Sequence, residues 1–343
     1  MEPATAPDFD DLPRVEGQPQ GCAWGLFDKD GEKDVYGTLN FLTPKVVAAA
    51  AAEVKDGVSI SLNWPLNGIK FPFPHRKAPV HRASTLRDLG MELSGWDDEL
   101  EFNTQFSSQW DGLCHVTHGT TGETYNGAVP TKEGLEITST EGNPLPSIEQ
   151  WHKRGGIVGR GVLVDFKRYV DETAAAGAEK YHPLDGHRIT PAEIEAVAKH
   201  QGVQFKPGDI LIVRTGYTEI LEAPTPDDFA KFAAVTLSGL HGTEETARWV
   251  WNHRFAAVAG DAHAFEALPP VKADGSPSPG AAFELVLHPY FLNMFGLPIG
   301  ELWDLKALGE YCKKAGKYSF LLTSMPLNHP GLVASPPNAV AIF

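Results

Sequence analysis

Cysteine is scarce. The 343 residues contain three, Cys22, Cys114 and Cys312, widely separated and without a CxxC spacing. An odd number at such spacings argues against a disulfide framework or a structural zinc knuckle. Long apolar runs are also missing: no stretch approaches eighteen consecutive apolar residues, so no membrane-spanning helix is expected. Basic charge is in deficit, with 29 Lys and Arg against 44 Asp and Glu and a net charge of −15. The densest positive group, Lys313, Lys314 and Lys317, reads as a solvated helix end, so no nucleic-acid partner is expected. There is no GxSxG elbow, Walker loop or GxGxxG turn. The N-terminal MEPATAPDFDDLPRVEGQPQG lacks the basic and apolar regions of a targeting peptide, and the expected location is the cytoplasm.

Hydrophobic residues make up 42% of the chain, enough for a large core. Residues 1–20 show no apolar periodicity and read as a flexible tail or an arm on a neighbouring subunit, leaving 21–343 as one domain. Three features define a helix in NFLTPKVVAAAAAEVKDG: a Thr43 cap, Pro44 in the first turn and Gly57 beyond the end. VSISLNWPL alternates as a strand does. GRGVLVDF and KPGDILIVRTG are buried strands around the helix TPAEIEAVAKHQG, where Thr190 and Glu193 form a capping box. DDFAKFAAV and GTEETARWVWNHR read as helices, followed by the apolar run FAAVAGDAHAFE. FELVLHPYFLNMFG and ELWDLKALGEYCKKAG read as two more, parted by Pro298 and Gly300, and YSFLLTSMPL and AVAIF as closing strands. Alternating strand and helix gives an α/β layered fold. Residues 126–156 read as a long irregular excursion, either a lid or subunit contact or a plain surface insertion.

Oxygen and nitrogen side chains crowd into NTQFSSQWDGLCHVTH. In an extended chain Gln105, Ser107, Gln109 and Asp111 share one face, while Phe106, Ser108 and Trp110 share the other. Asp111 and His115 then offer a carboxylate and an imidazole near one point, which suits a divalent cation or an acid/base pair. Far downstream, His288 stands in an apolar stretch and Glu301 follows Gly300, where it reads as the first residue of a helix. Taken singly, these are also what a hydrogen-bonded core histidine and a first-turn charge look like. Tyr125 and Asn126, close after the site, read as pocket lining or an ordinary Asn-Gly turn. His118 and His263 are spare imidazoles, and His263 follows an apolar strand.

Together these stretches resemble the cyclase family that includes kynurenine formamidase and isatin hydrolase. Its signature, H-x-G-T-H-x-D-x-P-x-H with a distant His and Glu, falls on Gln105 to His115, His288 and Glu301. YGTLNFLTP, GRGVLVDF, KPGDILIVRTGY, GDAHAFE and ASPPNAVAI extend the likeness from Trp24 onward. The resemblance implies a swivelling β/β/α fold, a mixed sheet with flanking helices, usually a homodimer or homotetramer. It also implies a metal held by Asp111, His288 and Glu301, with Gln109 as an adjunct ligand or substrate donor and His115 as general acid/base.

Gln105 and Gln109 depart from the signature, which has histidine at both positions. A glutamine carbonyl is a poor zinc ligand but suits manganese or magnesium, so manganese or zinc is expected, with magnesium also possible. The implied reaction is hydrolysis of a small-molecule carbon–nitrogen bond other than a peptide bond, in an amide, formamide or cyclic amide, or hydrolysis of a lactone. An aromatic substrate would suit Trp110, Phe106 and Tyr125. Two alternatives stay open. One is a metal-free cyclase, dehydratase or isomerase that uses Asp111 and His115 with Gln105 and Gln109 as donors; the other is a non-catalytic binding protein.

Overall fold

The computed structural model describes the chain except for residues 72–75, 120, 178, 272–275 and 277–283. Its strands in chain order are β1 (Ser59–Ser61), β2 (Val80–Thr85), β3 (Trp96–Glu101), β4 (Gln109–Asp111), β5 (Ile157–Asp165), β6 (Arg188–Ile189), β7 (Ile210–Arg214), β8 (Gly239–Leu240), β9 (Ala257–Gly260), β10 (Ile299–Glu301), β11 (Ser319–Ser324), β12 (Ala334–Ser335) and β13 (Ala339–Ile342). Nine of these form one mixed sheet in the order β1-β13-β11-β5-β7-β9-β10-β4-β12. The middle of the sheet, β5, β7, β9 and β10, is parallel. Both flanks are antiparallel. Helices flank the sheet, as the swivelling β/β/α expectation requires. Every residue of β7 and β9 is buried, which is why their sequences are unbroken apolar runs and not alternating ones.

Three helices start at the same dipeptide. Thr43, Thr190 and Thr225 each cap a helix whose first residue is proline, at Pro44–Ala51, Pro191–Gln201 and Pro226–Ala233. The expected capping box at Thr190 and Glu193 is present, and Gly202 closes that helix at φ 67°. A further helix covers Glu244–Asn252. Among the described residues no helix is long and apolar enough to cross a membrane.

The structure departs from the sequence reading in three places. Glu301 does not open a helix: it ends β10, which lies between β9 and β4, and the helix begins later, at Lys306–Ala315. Close packing explains the strand, because a Cβ on Gly300 would sit 2.6 Å from the Ala259 Cβ. FELVLHPYFLNMFG, whose first residue lies outside the described set, forms a π-type helical segment over Pro289–Phe295 that ends at Gly296 with φ 66°. The N-terminal segment is not a free tail. Phe9 is fully buried against Phe295 and Tyr290, its N–H donates to Asn252 Oδ1 at 2.8 Å, and Trp251 Nε1 donates to the Pro7 carbonyl at 3.0 Å. Pro3 and Leu12 are buried with it. Too few apolar residues mark this segment to create a period, yet Ala6, Phe9 and Leu12 are buried.

The excursion at 126–156 carries only two one-turn helices, Lys132–Leu135 and Gln150–Lys153, and its Ile148 and Trp151 belong to the main core. Because Phe9 anchors the N-terminal segment, Phe9→Ala should destabilise the protein by about 3 kcal/mol in urea denaturation. A loose tail would give a change below about 0.5 kcal/mol.

Candidate metal centre

The site is set by the pairing of β4 with β10, which places Glu301 opposite Gln109 and Ile299 opposite Asp111. Residues facing each other across a ladder share a face, and alternate residues along a strand do too, so Gln109, Asp111 and Glu301 converge on one side. Trp110 points to the other side. His288 approaches from the turn before Pro289–Phe295, and its Nε2 lies 3.2 Å from Glu301 Oε1. Ligand atoms of Asp111, His288 and Glu301 all lie within 4.8 Å of one another, and all three residues are buried.

Glu266 fixes the His288 ring. Its carboxylate lies 2.9 Å from His288 Nδ1 and accepts the backbone N–H groups of Val286, Leu287 and His288. A ring held at Nδ1 by a carboxylate turns Nε2 toward the cluster, the arrangement that orients metal-binding histidines. Burial works against a charged His288, but its hydrogen bonds to Glu266 and Glu301 raise it to about 10.

Asp111 is the least satisfied member. Its Oδ1 accepts the Gln105 amide at 2.7 Å and the Gln109 amide at 3.2 Å, while its buried Oδ2 has no hydrogen-bond partner among the described residues. Burial raises this carboxyl above the usual range; His115 pulls it back and Glu301 pushes it further up. Burial likewise pushes the Glu301 carboxyl up, but the His288 hydrogen bond and nearby His263 hold it below its usual range. An unpartnered buried carboxylate oxygen costs about 1–3 kcal/mol. A cation at this focus would remove that cost, so two carboxylates and one oriented imidazole fit a divalent ion.

Gln109 presents its nitrogen to the cluster, donating to Glu301 Oε2 at 2.9 Å as well as to Asp111. Its Oε1 faces Arg76, 3.4 Å away, and Arg76 also donates to the Gln105 backbone carbonyl. In this orientation Gln109 is a donor to the carboxylates, not a ligand. Gln105 Nε2 lies 3.1 Å from His115 Nε2, which is itself 4.0 Å from Asp111 Oδ1. About a quarter of the His115 side chain is exposed, so it forms an accessible edge of the cluster. His263 Nδ1 lies 3.7 Å from Glu301 Oε2, and burial pushes its ring down to about 4, which keeps it neutral.

Other expected pocket residues are engaged elsewhere. Trp110 is fully buried, packs edge-on against Trp303 at 4.9 Å and donates to Ser324 Oγ at 2.8 Å. Phe106 lies in a second core cluster. Tyr125 is fully buried and donates to Asp34 Oδ2 at 3.0 Å. Asn126, at φ 58°, ties Asp28 and Gly25 to its turn. Ser107 donates to the Pro65 carbonyl, and His118 caps an exposed turn at Thr121. Trp110 and Tyr125 are thus held by packing and by the hydrogen bonds to Ser324 and Asp34.

Sequence reasoning missed Glu266 and Arg76. Glu266 had a signal, as an acidic residue inside the apolar stretch FAAVAGDAHAFEAL; Arg76 had none.

A family model described as a putative cyclase matches residues 42–267, a span that includes Gln105, Asp111, His115, His263 and Glu266 and stops before His288 and Glu301. A crystal structure of a novel cyclase is similar at 31% identity and TM-score 0.75, covering 94% of this chain and 99% of that one. Isatin hydrolase A from Ralstonia solanacearum shares the fold at 14% identity and TM-score 0.51, covering 87% and 97%. So does an isatin hydrolase bound to the product analogue thioisatinate, at 13% identity and TM-score 0.51, covering 85% and 93%. No curated protein matches the chain.

The Asp111 geometry predicts a reversal. With chelator present, Asp111→Asn should be more stable than wild type at neutral pH, by about 1.4 kcal/mol for each pKa unit the carboxyl is raised. A folded-state value above the unfolded one costs stability as pH rises, so the gap should close in acid, where both states are protonated. The same variant should lose manganese binding in calorimetry; a variant less stable than wild type without metal would contradict the account. Glu266→Gln should weaken manganese binding about 10–100-fold, because the His288 ring loses its ionic anchor.

Proposed function

The chain belongs to the cyclase family, and we propose that it is a metal-dependent hydrolase of a small molecule. The bond cleaved would be a carbon–nitrogen bond other than a peptide bond, or a lactone. One observation carries this reading. Asp111 Oδ2 is buried, without a partner among the described residues, at the focus of a cluster whose other members are His288 and Glu301.

A divalent ion bound there supplies an activated water and polarises the substrate carbonyl. Asp111, His288 and Glu301 would hold it, and this carboxylate-rich set suits manganese or magnesium as well as zinc. His115 Nε2, at the exposed edge, accepts the proton of the attacking water and returns it to the leaving nitrogen or oxygen. Gln105 steers that ring through its amide, which also bonds Asp111. Gln109 keeps its amide on both carboxylates and prevents their mutual repulsion from splaying β4 and β10. Neutral His263, next to Glu301, offers a hydrogen bond to a substrate polar group.

Purified protein loaded separately with manganese and zinc should be assayed against N-formylkynurenine, isatin and a panel of lactones. His115→Ala should lower kcat about 10²–10⁴-fold while leaving manganese affinity unchanged. Glu301→Gln should abolish both. Activity that survives chelation, or a protein that binds no divalent ion, would contradict the reading.

A further inference from the structure

A cavity of about 740 Å³ includes none of the metal-centre residues. One wall is the loop that carries Phe27, Lys33 and Tyr36, and the other holds Leu145, Gln150 and Lys153. The 126–156 excursion contributes to both, through its turn at Gly127 and through the second wall itself. A volume of this size is that of a site for a small organic molecule.

Each wall is braced on its own. Asn126 Nδ2 donates to Asp28 Oδ1 at 2.6 Å, and Asn126 Oδ1 accepts the Gly25 N–H at 3.0 Å. Lys33 Nζ donates to the Asn126 carbonyl at 2.9 Å, which fastens the turn to the first wall. On the second wall Gln150, 2% exposed, donates through Nε2 to the carbonyls of Asn143 and Leu145, and Glu149 Oε1 accepts the Asn143 amide at 2.7 Å. Among the described residues no hydrogen bond joins 27–36 to 143–153. Two braced walls with no bond between them form a cleft that needs little ordering when a ligand enters.

Polarity across the cleft is graded. Leu145 and Gln150 are buried, Phe27 and Tyr36 are half-buried, and Lys29, Lys33 and Lys153 are exposed. The whole chain has 29 basic residues against 44 acidic ones, yet three lysines line this cavity against two acids, Glu32 and Asp34. Asp34 is committed internally: its carboxylate accepts the Tyr36 and Gly37 N–H groups, the Asn40 amide and the Tyr125 hydroxyl. The local balance is therefore the reverse of the chain's, and it attracts an anion to the exposed edge. The half-buried rings below that edge suit a flat apolar body.

We propose that this cavity is a binding site for a small aromatic carboxylate, with its ring against Phe27, Tyr36 and Leu145 and its carboxylate among the three lysines. The inference goes beyond the hydrolase reading and does not rest on it.

Calorimetric titration of the full chain tests it, with chelator present so that no metal ion takes up the carboxylate. 1-Naphthoate should bind once per chain, and 1-naphthylmethylamine, with the same ring and the opposite charge, about tenfold or more weakly. Lys29→Glu with Lys153→Glu, both exposed positions, should reverse that preference with unchanged far-ultraviolet circular dichroism. Glu301→Gln should leave naphthoate affinity as it is, which separates this cavity from the metal centre. Equal binding of the two probes, or binding of neither, overturns the proposal. So does a naphthoate affinity that survives the lysine changes or is lost in Glu301→Gln.

Discussion

Asp111 and Glu301 are carboxylates buried side by side on one face of the β4–β10 ladder, and much of the surrounding structure is arranged around their charge. Repulsion between them in a dry site would favour separation of the two strands, since like charges are screened far less there than in water. The protein answers with donors: two glutamine amides, the oriented His288 ring and the Arg76 guanidinium behind Gln109. Those donors still leave Asp111 Oδ2 without a partner among the described residues. A site so supplied with donors and yet one bond short suits a ligand that brings positive charge.

The two glutamines give this site its particular character. Histidines at 105 and 109 would bring further ligand nitrogens; the amides bring N–H groups instead and spend them on the carboxylates. They hold the face that carries the two carboxylates in shape. Arg76 keeps Gln109 turned this way by taking its oxygen. The cluster is thus built from Asp111, His288 and Glu301 with His115 at its edge, and Gln105 and Gln109 serve it as donors.

Much of the fold could be read in the sequence, because its signals are local. The Thr-Pro helix starts, the capping box at Thr190 and the apolar stretches Val162, Leu163 and Val164 of β5 and Ile210 to Val213 of β7 each depend on a few neighbouring residues. Glu301 was placed in a helix because a local pattern cannot foresee that Gly300 packs against Ala259 between two strands. The alternation along β4 correctly put Gln109 and Asp111 on the side opposite Trp110, and it follows that Trp110 belongs to the core. Tyr125 and Asn126 proved to be ties to the N-terminal loop, a long-range contact with no sequence period. Arg76 and Glu266 act on the site through other side chains, and a residue acting at one remove leaves only a faint mark in a single sequence.

Manganese soaked into crystals of the protein, located by its anomalous scattering, tests the central claim most directly. The account predicts one peak within bonding distance of Asp111 Oδ2, His288 Nε2 and Glu301, with Gln109 still donating to the carboxylates. No peak at that cluster, with manganese bound elsewhere or not at all, would contradict it.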